Sequence, residues 1–69
     1  MTDTLLEEDE IGVVFFVDGT MSTSRGMMNT DAYHKIKQVF IMPADTSLYR
    51  ISDYWGQLMV HKTWKEVPQ

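Results

Sequence analysis

An α+β domain, in which two antiparallel β-hairpins flank one short helix and share a small sheet, is the fold class that this 69-residue sequence predicts. Three observations predict it. Residues 11–17 form an apolar, β-branched and aromatic run that ends in Asp18-Gly19, a pair suited to a tight hairpin turn. Ala32, Ile36, Val39 and Phe40 recur at helical spacing behind a capping residue. Residues 48–64 alternate in character on either side of a glycine-containing loop. A small all-β barrel is the competing architecture.

Residues 1–10 read as an acidic, flexible tail, residues 11–65 as one globular domain, and residues 66–69 as a second short tail. Asp18-Gly19 suits a two-residue type I′ loop, whose two central positions both need positive φ. Such a loop sets Phe16 opposite Met21 and Phe15 opposite Ser22, so residues 20–25 form a short polar second strand. Gly26 breaks the connector that follows. Thr30 or Asn29 then caps a helix, with Asp31 in its first turn against the helix dipole, and the helix stops before Pro43. Val39-Phe40-Ile41 is also good strand material, so a strand over residues 36–42 competes with the helix.

Residues 43–47 read as a loop, and a second hairpin follows. Its strands are residues 48–52 and 57–64, joined by Asp53-Tyr54-Trp55-Gly56. Ile51 pairs with Leu58 and Tyr49 with Val60, which puts the four on one core-facing side. Lys62 and Trp64 continue that face past the end of the shorter strand. The competing all-β barrel would resemble a Src-homology-3-like or similar small fold.

A domain of 69 residues has a thin core, because a chain near this length buries only about 60% of the surface it exposes unfolded. The composition, 43% hydrophobic and 23% charged, is that of a folding chain rather than a disordered one. With no cysteine there is no disulfide framework and no thiolate zinc site, which points to an intracellular, cytoplasmic protein. No run approaches membrane-spanning length, and no membrane partner is expected. The net charge of -4 is uneven: residues 1–24 carry -6 and the remainder +2.

The stretch Phe15-Phe16-Val17-Asp18-Gly19-Thr20 is similar to the first motif of haloacid-dehalogenase-type phosphatases, a strand ending in Asp-x-Asp-Gly-Thr. Asp18, Gly19 and Thr20 match, but Phe16 stands where the nucleophilic aspartate belongs, and the resemblance therefore implies no phosphatase here. Ribonuclease-H-like metal sites need several more carboxylates on a larger sheet. Asp31 and His34 have a legal spacing for two metal ligands, with His61 as a third, yet the plain reading is a helix-terminal carboxylate and exposed histidines. No phosphate-binding glycine loop is present. The expectation is a non-enzyme with no cofactor and no metal.

Three features favour binding instead. The carboxylates Glu7, Glu8, Asp9 and Glu10 suit a protein partner with a basic surface. Residues 13–17 are apolar on both faces, so the row Val13, Phe15 and Val17 is either covered internally or is left to a partner or to a second copy of the chain. Tyr54 and Trp55, at the expected hairpin tip, are residue types enriched in interface hot spots. The function expected is a small acidic regulator or inhibitor that binds a larger host protein, similar in class to those encoded by phages. The alternative is single-stranded nucleic-acid binding through Tyr33, Lys35, Tyr49, Arg50, Trp55 and Lys62, rings stacking on bases and cations meeting phosphates.

Overall fold

The chain folds, in a computed structural model that describes residues 3–30, 33, 35–57 and 60–68, around one strand that is apolar on both sides. Its elements in order are β1 (Asp3–Leu5), β2 (Glu10–Phe16), β3 (Met21–Ser24), β4 (Met27–Asn29), β5 (Ile36–Pro43), α1 (Leu48–Trp55) and β6 (Lys65–Glu66). Four strands make an antiparallel sheet in the order β3-β2-β5-β6, and β1 and β4 pair separately as a two-stranded antiparallel ribbon. The α+β class holds, and the sheet is open rather than a closed barrel.

Both faces of β2 are covered from within the chain. On one side Val13 and Phe15 pack with Phe40, Met42, Ile51 and Trp64, under α1. On the other, Val14 packs with Val39 and Met28, and Leu6, Ile41 and Val67 complete the layer beneath the ribbon. Gly12 lets the ribbon come close, because a Cβ there would stand 2.6 Å from the Met28 sulfur. The sandwich of helix, sheet and ribbon gives each row of a doubly apolar strand its own cover.

Several sequence expectations are corrected. Residues 36–42, expected as helix, lie in β5, the competing strand reading; they are central in the sheet and apolar on both faces, which a strand between two covering layers requires. Residues 48–55, expected as the first arm of a second hairpin, form α1, with Ser47 as its N-cap accepting from Arg50 N–H. Ile51, Tyr54 and Trp55 stand at i, i+3 and i+4, so one helical face meets the sheet. Leu58 and Met59 of that hairpin's other arm lie outside the described residues. The acidic segment is no free tail: β1 pairs with β4, and Glu10 opens β2 opposite Pro43. At the other end Glu66 pairs with Phe40, and Val67 N–H donates to Val39 C=O (2.9 Å).

The first hairpin forms one residue out of the expected register, with Phe15 rather than Phe16 opposite Met21. Its loop is Val17-Asp18-Gly19, three residues instead of two. Gly19 N–H donates to Phe16 C=O (3.1 Å), Phe16 N–H donates to Thr20 C=O (2.9 Å), and of the Asp-Gly pair only Gly19 has positive φ. This is a type I turn closed by a left-handed glycine, the next most common hairpin loop after the two-residue kind. Asp18 locks it by accepting from both Thr20 N–H (3.0 Å) and the Thr20 hydroxyl (2.6 Å).

Candidate partner-binding surface

Eight aromatic side chains are present, and seven are packed ring against ring. Phe15, Phe40, Tyr54, Trp55 and Trp64 interlock under α1, with Phe15 and Tyr54 centroids 4.6 Å apart. Phe16 and Tyr33 meet at 5.6 Å on the opposite side of the sheet. Tyr49 alone makes no ring contact among the described residues and is 84% exposed, beside Leu48 at 70%. The helix explains Tyr49: the turn that points Ile51, Tyr54 and Trp55 inward points it outward, whereas Leu48 shares the side of Ile51 and Trp55 and is exposed at the first residue of the helix.

The acidic residues lie on a turn joined by a backbone hydrogen bond to the segment that leads into α1. Glu7 to Glu10 form the tight turn between β1 and β2, in which Glu10 N–H donates to Glu7 C=O (3.0 Å) and Glu7 N–H returns a bond to the Glu10 carboxylate (2.9 Å). Glu10 also meets the Lys65 ammonium at 3.2 Å, while Glu7, Glu8 and Asp9 are exposed without ion partners among the described residues. The Glu7 N–H first, and Lys65 second, hold the Glu10 carboxyl below its ordinary pKa. Asp9 C=O accepts from Ala44 N–H (2.8 Å), which ties this turn to the segment leading into α1. Thr46 N–H and hydroxyl both donate to Pro43 C=O (2.9 and 2.6 Å), and Ser47 caps the helix immediately after. Exposed carboxylates and an exposed Leu-Tyr pair thus stand on adjoining segments.

The other expected contact residues lie elsewhere. Val13 and Phe15 are wholly buried, so the row anticipated as a partner face is core; Val17, past the end of β2, is 59% exposed. Tyr54 and Trp55 are not at a hairpin tip but on the inner face of α1. A bulge in β5, where Phe15 and Phe16 face Gln38 and Ile36, leaves Lys37 unpaired, and its ammonium lies 4.4 Å from the Trp55 ring centroid. Tyr33 and Trp55 occupy opposite layers of the sheet. The residues named for nucleic-acid contact therefore do not gather on one face, although Lys35, Tyr49, Arg50 and Lys62 are each exposed.

Two surface recesses, each of about 340 Å³, flank the helix. One is lined by Lys37, Tyr54, Gln57 and Val60. The other, at the start of α1, includes Asp45, Ser47, Arg50, His61, Thr63 and Trp64. His61 Nδ1 accepts from Thr63 N–H (3.3 Å) and lies 2.8 Å from the Thr63 hydroxyl. Asp31 and His34, considered as metal ligands with His61, lie outside the described residues; among those described, no three metal-ligating side chains converge. No described helix is long and apolar enough to cross a membrane.

Sequence reasoning singled out the acidic residues, though on a free tail, and missed Leu48 and Tyr49 as a pair. For Tyr49 the signal was available: Ser47 is an N-cap residue, and the 3-4 spacing of Ile51, Tyr54 and Trp55 after it puts Tyr49 on the outer face. Comparison with protein-family models, curated proteins and solved structures gives no match to this chain.

Proposed function

We propose that this chain is a non-catalytic protein-binding module, a small acidic regulator or inhibitor of the kind phages encode, acting on a larger host protein. The observation that carries the reading is Tyr49, the one aromatic left out of the core, exposed with Leu48 at the start of a helix whose leading segment is tied through Ala44 N–H to the ordered acidic turn. Tyrosine supplies a large rigid contact with a polar tip and is over-represented among residues that dominate binding energy. Carboxylates at the rim of such a contact steer a basic partner and speed its encounter. In this reading Glu7, Glu8 and Asp9 meet the basic rim of the partner, and Leu48 and Tyr49 enter an apolar depression at its centre.

The test is affinity capture from host lysate with the wild-type chain, Tyr49→Ala, and the triple variant Glu7→Lys, Glu8→Lys, Asp9→Lys, each checked for an unchanged melting curve. A protein held by the wild type and released by both variants is the expected result. A captured protein indifferent to both removes this surface from the reading. A labelled single-stranded oligonucleotide titrated at two salt concentrations addresses the other class: binding that weakens steeply with salt would put nucleic acid in place of protein.

A further inference from the structure

The two edges of the sheet are built differently. At one edge β6 is only two residues long, both charged, Lys65 and Glu66, and Pro68 follows; shortness, charge and proline are the ordinary protections against a further strand. At the other edge β3 reads Met21-Ser22-Thr23-Ser24, with no charge, no proline and no bulge against β2. Phe16 N–H donating to Thr20 C=O fixes the alternation along this pair. Thr20, Ser22 and Ser24 turn their backbone groups to β2, and Met21 and Thr23 turn theirs outward. No strand lies beyond them among the described residues.

We propose that this edge pairs with the same edge of a second copy, antiparallel about a two-fold axis through Ser22, so that two four-stranded sheets become one. The occupant is set by charge. In that register Met21 lies opposite Thr23 of the second copy, and each such pair exchanges both of its N–H···O=C bonds. Arg25 then falls opposite Gly19 of the second copy, one residue from its Asp18, and the two-fold axis repeats the contact. Arg25 is exposed and has no ion partner among the described residues, and Asp18 is exposed at the tip of its loop. The edge is therefore complementary to itself, as an isologous interface must be, although the chain as a whole carries -4. Met21, 37% exposed on the same sheet face as Phe15, adds apolar contact with Thr23 of the second copy. This pairing is independent of the Leu48–Tyr49 surface.

Sedimentation equilibrium over a hundredfold concentration range, with three proteins, tests it. The wild type is expected to pass from monomer to dimer. Thr23→Pro removes an outward N–H while leaving the β2 ladder intact, a position where an edge strand accepts proline, and should stay monomeric with an unchanged far-ultraviolet spectrum. Arg25→Glu should weaken the dimer about tenfold or more. Hydrogen exchange on the wild type needs no variant to fold: protection of the Met21 and Thr23 amides should rise with concentration, while Ser22 and Ser24 are protected throughout. A wild type that stays monomeric, or a dimer indifferent to Arg25→Glu with Met21 and Thr23 exchanging freely, overturns the proposal. So does protection of those two amides only when another protein is added, which would give the edge a different occupant.

Discussion

Gly12 shows how much one missing side chain decides here. It lies in β2 on the ribbon side, and the Met28 sulfur occupies the place where a Cβ would be, with Leu6 Cδ1 at 3.3 Å behind it. Met28 is fully buried, so its thioether would have to shift within a packed layer to admit a Cβ. Gly12→Ala is expected to lower stability by about 1–3 kcal/mol, the usual cost of overpacking, measured by urea unfolding. In a Met28→Val background, which lacks the sulfur and terminal methyl, most of that penalty should vanish, a coupling that a double-mutant cycle reads directly. Glu10 acts on stability through pH. Its carboxyl is held below the ordinary value by the Glu7 N–H and then by Lys65, so it favours the fold while ionised. A depressed acid gives its full contribution above its unfolded pKa and loses it as pH falls through the folded value. Glu10→Gln should therefore flatten the stability profile on the acid side of the carboxylate range, and leave its slope near neutral pH unchanged.

At the scale of elements, the sequence was legible where one signal stood alone and misleading where two periods overlapped. Residues 11–17 read as a strand, and all but Val17 lie in one, because no helical pattern competes. In residues 36–42 the helical spacing of Ile36, Val39 and Phe40 coincides with a continuous apolar run, and the run prevails because β5 is buried on both sides. In residues 48–55 the reverse occurs: alternation of Tyr49 and Ile51 suggested a strand, but Ser47 and the inward set of Ile51, Tyr54 and Trp55 make a helix. The misreading of α1 is what hid Tyr49. Helix ends supply a check on this account. Ser47→Ala removes the hydroxyl that accepts from Arg50 N–H (3.3 Å) and should cost about 0.5–2 kcal/mol. After the helix Gln57 holds φ +60, a left-handed conformation that glycine adopts without strain. Gln57→Gly is expected to raise stability by about 0.5–1 kcal/mol, net of the entropy glycine adds to the unfolded chain. Thermal melts of both variants, moving in opposite directions, check the two ends of α1 separately.

For the molecule as a whole, the consequence of a doubly apolar β2 is that two covers are needed, and the acidic first segment supplies part of one. A chain of 69 residues has a total stability of about 3–10 kcal/mol. Side chains the size of Leu6 and Met28 contribute about 1.5–3 kcal/mol each when fully buried. Losing residues 1–6 removes Leu6 and the strand to which β4 is paired, so Met28 loses its support and Val14, Val39 and Ile41 lose their cover. Deleting residues 1–6, which spares the Glu7 to Glu10 turn, is therefore expected to take away a large share of the total. The deletion should broaden or abolish the cooperative melt and let an apolar fluorescent dye bind the uncovered face, whereas removal of a flexible tail would change neither. Leu6→Ala should give the intermediate result, a lowered midpoint with cooperativity kept. The same layer supports the proposed partner surface: β1 and β2 must both be in place for the turn between them to keep its tie to the segment leading into α1. Deletion should consequently weaken partner capture more than the charge reversal of that turn does, because it removes the framework along with the charges' placement.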